Sequence, residues 1–252
     1  MSGATHISTS QVQGPVRYGW RLKLGMLLPS SNQVAEPELP SMLPDGVAVH
    51  TTRLKLVGGA PDRLLKMVEK VEEAAELVAD AGADLIVFHC TAVSTYDADM
   101  EKRLGERIQK ATGKPSIATS EALTKAFQTL NARKIVLLSP YHKDVNQREV
   151  DYFAHQQIEV LSEKGLALNG GAEYAAVEPG EWYRMTMAAR DARADAYFLS
   201  CTTIRSTPVI AALERDLGKP VVTSNQAMAW HALRTGGVRD KVEGFGKLFA
   251  EH

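Results

Sequence analysis

The sequence is poor in the features that usually assign a location or a macromolecular partner. It has only two cysteines in 252 residues, and no apolar stretch reaches the roughly 20 residues that cross a bilayer. Its 29 Lys and Arg balance 30 Asp and Glu, which gives a net charge of −1 without a basic stripe. These absences predict no membrane partner and no nucleic-acid partner. Too few cysteines for a disulfide framework and a polar N-terminus predict a cytoplasmic protein with reduced thiols.

What the chain does contain is an internal repeat. Residues 23–29 match residues 134–140 at an offset of 111, and the two cysteines, Cys90 and Cys201, keep the same offset. A third pair of matching segments, 113–120 and 218–224, follows further along each half of the chain. A period this long does not fit a solenoid, so the repeat predicts two similar lobes.

Short apolar runs alternate with longer amphipathic stretches in both halves, which predicts parallel sheets flanked by helices. The predicted strands are 22–28, 47–54, 84–89, 115–119, 134–139, 166–169, 195–200 and 220–223. The predicted helices are 61–81, 97–112, 121–131, 144–164, 181–193 and 206–217. The fold class is therefore α/β, with two pseudo-symmetric lobes, each a parallel sheet flanked by helices, and an active site in the cleft between the lobes.

The predicted domain organisation has four parts. They are a flexible leader at 1–19, an N-terminal lobe at 20–125, a C-terminal lobe at 126–224 and a helical segment at 225–252 that packs back on the N-terminal lobe.

Both cysteines follow a predicted strand and precede a threonine that can open a helix. Backbone N–H groups at such a turn favour a thiolate, so each thiol is a candidate nucleophile or base. The alternative is that each cysteine is a small buried apolar residue. The matched positions of Cys90 and Cys201 favour a catalytic pair. The seven histidines show no metal-ligand spacing with the thiols, so we expect no metal.

Polar residues also follow the first strand of each half. Ser31 and Asn32 lie in a Pro-Ser-Ser-Asn turn whose hydroxyl, amide and backbone N–H groups suit a carboxylate ligand. The same residues also suit a plain turn that caps the next helix. Tyr141 lies at the repeat position of Ser30, and its phenol can donate to the same anion.

Four segments of the chain together form a recognisable pattern: Leu-Leu-Pro-Ser-Ser-Asn at 27–32, Cys90-Thr91, Ser-Pro-Tyr at 139–141 and Cys201-Thr202. With this pattern the chain resembles the aspartate/glutamate racemase superfamily over residues 20–250. Within it, the chain is most similar to the branch of maleate cis-trans isomerases, arylmalonate decarboxylases and ectoine-utilization proteins.

The resemblance implies a role for each matching residue. In enzymes similar to maleate isomerase, Cys90 would attack an alkene carbon and Cys201 would supply and recover a proton. Carboxylate binding would fall to Asn32, Tyr141 and an asparagine for which Asn169 is the candidate. Backbone amides around Thr91, Ala92 and Thr202 would complete an oxyanion pocket. The family resemblance also implies catalysis without a cofactor or metal, and we expect a homo-oligomer that acts on a small carboxylate or dicarboxylate.

The leading functional expectation is a cis-trans isomerase of a small unsaturated dicarboxylate, of the maleate-to-fumarate type. One alternative is a racemase or epimerase of an amino- or hydroxy-acid derivative that uses both thiols as acid and base. An arylmalonate-type decarboxylase is a further alternative, although such enzymes keep only the second thiol, so Cys90 counts against it. The last alternative is a non-catalytic carboxylate-binding protein of ectoine catabolism. The run Thr202-Thr203-Ile204-Arg205 after the second thiol departs from the pattern of maleate isomerases, and the role of Arg205 stays open between binding a second carboxylate and facing solvent.

Overall fold

The computed structural model describes residues 18–56 and 61–252, and most of the predicted leader lies outside these residues. The N-terminal half contains β1 Leu22–Pro29, α1 Ala35–Met42, β2 Val47–Leu54, α2 Pro61–Met67, α3 Val71–Asp80, β3 Leu85–Phe88, α4 Thr91–Ser94, α5 Met100–Thr112, β4 Ser116–Ala118 and α6 Thr119–Thr129. The C-terminal half contains β5 Lys134–Ser139, α7 Lys143–His155, β6 Glu159–Gly165, α8 Gly171–Ala176, α9 Pro179–Ala188, β7 Ala196–Leu199, α10 Ile210–Leu217, β8 Val221–Thr223, α11 Ser224–Thr235 and α12 Gly246–Glu251. Among these residues, no helix combines the length and the apolar character needed to cross a bilayer.

Each half forms a four-stranded parallel sheet, and the two sheets have the same strand order. The orders are β2-β1-β3-β4 and β6-β5-β7-β8. All residues of β3 and β7 are buried, because helices cover both faces of a parallel sheet and its inner strands are apolar throughout. The predicted α/β fold with two pseudo-symmetric lobes is therefore confirmed.

The repeat extends to individual hydrogen bonds. The backbone N–H of Lys23 donates to Oδ2 of Asp84 over 2.8 Å, and that of Lys134 donates to Oδ2 of Asp195 over 2.9 Å. Each aspartate precedes the strand that ends at a cysteine turn, so it holds that strand to the start of its neighbour in the sheet. The two lobes therefore build their cysteine turns on the same frame.

Two glycines end corresponding helices, as the sequence predicts. Gly113 after α5 has φ 68° and Gly218 after α10 has φ 67°, both in the left-handed region that favours glycine. Both Gly-Lys-Pro segments then lead into the last strand of their lobe.

One predicted strand is wrong. Residues 166–169 are not a strand, and the strand of this region is β6, which begins after α7 ends at His155. The predicted helix 144–164 hid β6 because β6 is an edge strand. Its residues are half-buried or exposed, so it lacks the apolar run that marks the inner strands.

The helix after the last strand of each half packs across the lobe boundary. From α6, the Phe127 ring meets those of Phe153 and Phe198 in the C-terminal half, at centroid distances of 5.6 and 5.8 Å. Helix α11 packs in turn on α1 and α6 of the N-terminal half. These contacts between the lobes form a continuous apolar core. The exact lobe boundaries stay predictions.

Candidate active site

A cavity between the two lobes is lined by residues that follow the strands. Both thiols, Cys90 from the N-terminal lobe and Cys201 from the C-terminal lobe, face it. Of the other predicted site residues, the lining includes Ser31, Ala92, Tyr141 and Thr202. The carboxyl ends of parallel strands meet at one edge of each sheet, and this is where the cavity lies.

The Cys90 turn opens the short helix α4. Cys90 has extended backbone angles, φ −153° and ψ 109°, and its side chain is buried. Burial raises the pKa of the Cys90 thiol to about 12, although the backbone N–H of Val93 favours the thiolate. The sequence predicts a thiol activated by a helix N-terminus, but in this structure burial outweighs that effect.

The Cys201 turn is less regular and offers the sulfur more donors. Cys201 has φ 118°, a backbone conformation that residues other than glycine rarely adopt and that recurs at functional sites. Its Sγ accepts a hydrogen bond from the backbone N–H of Thr203 over 3.3 Å. Burial raises the pKa of Cys201 to about 11, while hydrogen bonds from the Tyr141 phenol and Thr203 partly offset this rise.

Asn32 joins the two lobes. Its Oδ1 accepts from the backbone N–H groups of Val34 and Ala35, both over 2.9 Å, at the start of α1. Its Nδ2 donates to the backbone oxygen and the hydroxyl of Thr202, both over 3.0 Å. The capping turn that the sequence offered as an alternative is therefore present. To bind a substrate carboxylate, Asn32 would have to exchange its bonds to Thr202, so that role stays a prediction.

Thr91 acts on the site through a residue that sequence reasoning missed. The Thr91 hydroxyl donates to Oγ of Ser224 over 2.8 Å, and the same Oγ accepts from the backbone N–H of Cys201 over 3.1 Å. Ser224, at the start of α11, thus connects the two cysteine turns. The only sequence signal for it is that it ends the third repeated segment.

His89, which precedes Cys90, is buried in a polar network behind the site. Its Nε2 lies 2.9 Å from Oδ1 of Asn225, and Nδ2 of Asn225 donates to Oε2 of Glu38 over 2.7 Å. Because Nδ2 is the donor to Glu38, Oδ1 accepts and Nε2 of His89 carries the proton. Burial lowers the pKa of His89 to about 4, so the ring is neutral near pH 7. It therefore fixes the strand end before Cys90 and takes no part as a cation.

The structure does not bring Asn169 into the cavity. Its side chain is exposed, with Nδ2 3.4 Å from Oε2 of Glu173 and Oδ1 3.4 Å from Nε2 of His142. The physical reason is the register of the region: Asn169 follows the edge strand β6 instead of ending a strand at 166–169. The two glycines after it, Gly170 and Gly171, line the cavity in its place.

Arg205 is also held away from the cavity. Its Nη2 donates to Oε1 of Glu178 over 2.8 Å and to the backbone oxygen of Ala176 over 3.0 Å. In this arrangement the Arg205 guanidinium is engaged by Glu178 and Ala176, and Arg205 is not among the residues that line the cavity.

Apolar side chains form the rest of the cavity wall. Leu56, Leu64 and Val145 line it, and the Tyr174 ring packs edge-on against Tyr141 at a centroid distance of 5.7 Å. Within the part of the chain that the structure describes, no cluster of three or more His, Cys, Asp or Glu is placed to hold a metal ion. The site thus presents two thiols, two tyrosines, hydroxyls and backbone amides to a small ligand, a set suited to proton transfer or thiol addition.

Known proteins share this fold and sequence pattern. A family model described as arylmalonate decarboxylase matches residues 24–249. A maleate isomerase from Geobacillus stearothermophilus is 26% identical over 243 residues, which covers 90% of this chain and 97% of that protein. An arylmalonate decarboxylase from Bordetella bronchiseptica is 27% identical over 232 residues, covering 90% and 96%.

Among solved structures, the fold matches a cysteine-to-serine mutant of the Nocardia farcinica maleate cis-trans isomerase that holds a covalently bound succinylcysteine intermediate. The TM-score is 0.86 at 23% identity, covering 92% of this chain and 99% of that one. The resemblance drawn from the strand-end motifs is confirmed, and so is the assignment to maleate isomerase-like enzymes. Since the family model spans nearly all of the described residues, the chain belongs to the arylmalonate decarboxylase family.

Proposed function

We propose that the protein is a cis-trans isomerase of a small unsaturated dicarboxylate, with maleate to fumarate as the type reaction. The observation that carries this proposal is that two thiols, Cys90 and Cys201, line one cavity from opposite lobes. A decarboxylase that relies on one thiol has no use for the second. A binding protein needs neither.

Proton transfer between the thiols begins the proposed reaction. Of the two thiols, Cys201 is the one whose sulfur accepts hydrogen bonds from Tyr141 and Thr203, and these bonds favour its thiolate. The Cys201 thiolate takes the proton of Cys90 as the Cys90 sulfur bonds to one alkene carbon. The π electrons move onto the neighbouring carbon and its carboxylate, and Cys201 then returns the proton to that carbon.

The addition leaves a single bond between the two central carbons, so rotation about it becomes easy. Cys201 removes the proton again, the C–S bond to Cys90 breaks and the double bond re-forms in the trans geometry. Fixed donors that await the charged carboxylate lower the barrier, and each contributes on the order of several kcal/mol in such sites. The backbone amides beside Thr91, Ala92 and Thr202 are the proposed donors.

A relative supports the covalent step. The Nocardia farcinica enzyme was captured with a succinylcysteine after one of its cysteines was changed to serine. We propose that the equivalent adduct of this protein forms on Cys90. The predicted homo-oligomeric state stays a prediction.

The experiment is incubation of the reduced protein with maleate, followed by proton NMR without added cofactor. The expected result is replacement of the maleate vinyl signal by that of fumarate, and the Cys90→Ala variant should abolish it. Absence of fumarate with both thiols shown to be reduced would reject the proposal.

A two-base racemase is the second candidate, because the matched positions of the thiols on opposite lobes also suit proton transfer on two faces of one carbon. Incubating amino- and hydroxy-acid derivatives in D₂O separates the two. A racemase would introduce deuterium at a stereocentre and leave maleate unchanged.

A further inference from the structure

Glu149 is a buried carboxyl group beneath the cavity that the proposed reaction does not use. It lies on α7, one helical turn after Val145, and residues four apart share one face of a helix. Val145 lines the cavity, whereas Glu149 is 0% exposed. This places the carboxyl group behind the cavity wall, in the interior of the C-terminal lobe.

The carboxyl group contacts the residue that precedes Cys201. The Ser200 hydroxyl donates to Oε1 of Glu149 over 2.7 Å, and Ser200 is also fully buried. Its other oxygen, Oε2, is buried and has no hydrogen-bond partner among the residues that the structure describes. A charged carboxylate with one bare oxygen and one neutral donor is costly in the interior, so the environment favours the protonated acid.

The repeat supplies a contrasting carboxyl group. Glu38 in α1 lies at the same 111-residue offset from Glu149 that separates the cysteines. Glu38 accepts from the backbone N–H of Thr207 over 3.3 Å, from the Thr207 hydroxyl over 2.6 Å and from Asn225 over 2.7 Å. Three donors reach the carboxyl group of Glu38, whereas among the described residues only Ser200 donates to that of Glu149. Of these two repeat-related residues, Glu149, in the lobe that carries Cys201, is the one with incomplete hydrogen bonding.

We propose that Glu149 is a positioning residue that holds the Cys201 turn through Ser200 and, by gaining charge, restrains the rise of thiol reactivity at alkaline pH. The proposal does not depend on the identity of the substrate, because it concerns the thiols themselves.

Electrostatics give the direction of the effect. Burial raises the pKa of Glu149 to about 8, and the Ser200 hydrogen bond only partly offsets this. The negative charge of Glu149 raises the pKa values of Cys90, Cys201 and Tyr141. Below about pH 8 Glu149 is neutral and leaves the thiols unaffected. Above it, the carboxylate opposes their ionisation.

Among the described residues, Glu149 forms no ion pair. The titratable groups that face it are Tyr141 after β5, Cys90 at the β3–α4 turn and Cys201 after β7. Two nearby charged residues, Arg148 and Glu163, contact other partners. The Arg148 guanidinium stacks on Tyr96, and Glu163 of β6 accepts a hydrogen bond from Asn146.

The test is the pH dependence of alkylation of each thiol by iodoacetamide, from about pH 6 to about pH 10, with Cys90 and Cys201 peptides resolved by mass spectrometry. In the wild-type protein the rate should rise less steeply above about pH 8. In Glu149→Gln, which keeps the shape and removes the charge, this flattening should vanish. Cys201 should then react faster at the alkaline end by on the order of tenfold.

Two further variants make the test specific. Ser200→Ala removes the donor that favours the carboxylate, so the flattening should move to higher pH. Glu38→Gln is the matched control from the other half of the repeat. Glu38 contacts Thr207 and Asn225 and does not contact Ser200, so this variant should keep the wild-type alkylation profile of Cys201.

A folded Glu149→Gln variant with the wild-type profile would overturn the proposal. If that variant does not fold, an unchanged profile in Ser200→Ala would overturn it as well. Since alkylation needs no substrate, failure here and failure to isomerise maleate are separate results.

Discussion

The two cysteine turns occupy equivalent places in the repeat but differ in structure. Cys90 continues an extended strand into a helical turn, and one backbone N–H favours its thiolate. Cys201 adopts φ 118°, is followed by irregular chain, and receives hydrogen bonds from a phenol and a backbone N–H. The repeat therefore supplies two thiols on one frame, and the local contacts assign them unequal proton affinities. The thiol with more donors is suited to carry a proton back and forth, and the other to form the bond to carbon.

The largest effect is expected when one thiol is removed by substitution with alanine. Cys90→Ala should lower the isomerisation rate by on the order of a thousandfold or more, because no nucleophile remains. Cys201→Ala should also be inactive in turnover but keep a Cys90 that iodoacetamide can modify. Turnover by NMR and peptide mass after alkylation measure the two effects. Equal activity of Cys90→Ala and the wild-type protein would remove the distinction between the turns.

A second effect concerns the carboxyl group behind the Cys201 turn. The pKa of Glu149 is raised from 4.5 to about 8 in the folded protein, so the folded state binds more protons than the unfolded state between these values. The free energy of unfolding should therefore fall as the pH rises through this window. In Glu149→Gln the fall in unfolding free energy across this pH window should be smaller by more than about 1 kcal/mol. Urea unfolding at several pH values measures the unfolding free energy, and the same fall in both proteins would contradict the account.

The connection between the turns can be broken at Ser224. Ser224→Ala removes the acceptor shared by Thr91 and the backbone N–H of Cys201. Leaving these buried donors unsatisfied should cost about 1–3 kcal/mol of stability. The turnover number should fall with it, since both thiols lose their relative placement. Ser224→Thr is the conservative control that keeps the hydroxyl, and equal loss in both variants would point to simple crowding.

The Tyr141 phenol distinguishes the two thiols because it donates a hydrogen bond to the sulfur of Cys201. Tyr141→Phe should raise the pKa of Cys201 and slow its alkylation by about tenfold, while the Cys90 peptide serves as the internal reference. Equal slowing of both thiols would indicate a general change in access to the cavity.

The smallest effect is expected outside the cavity, at Arg205. Its ion pair with Glu178 is partly exposed, so Arg205→Ala should cost less than about 1 kcal/mol of unfolding free energy and leave the Michaelis constant nearly unchanged. A large rise in the Michaelis constant for a dicarboxylate would assign Arg205 to the substrate.

Local patterns predicted much of this fold, and contacts between distant segments account for the rest. The inner strands β3 and β7 are recognisable because they are apolar throughout, and the repeat placed the thiols at matching strand ends. The edge strand β6 lacked that signal. Because the strand was placed at 166–169 instead, Asn169 was expected at a strand end that faces the cavity. Periodicity reports which face of an element is buried, and it is weak where both faces are partly exposed.

Local sequence patterns did not predict the hydrogen-bond partners of the two cysteine turns, because these partners lie far away in sequence. Ser224, at the start of α11, meets Thr91 from 133 residues away and Cys201 from 23 residues away, and Glu149 meets Ser200 from a helix 51 residues away in sequence. The state of the thiols also depended on burial. The turn motif predicted thiolates, whereas enclosure between the lobes raises both pKa values.

The most direct test of unequal thiol roles is to trap the adduct. In a Cys201→Ser variant incubated with maleate, the serine hydroxyl can still pass a proton to the adduct carbon but is too weak a base to remove it again, so the succinyl adduct should accumulate on Cys90. Peptide mass spectrometry would locate it. The account predicts a succinylated Cys90 peptide that is absent from the Cys90→Ala variant. An unmodified, reduced Cys90 after incubation, or an adduct on Cys201 in the Cys90→Ala variant, would contradict it.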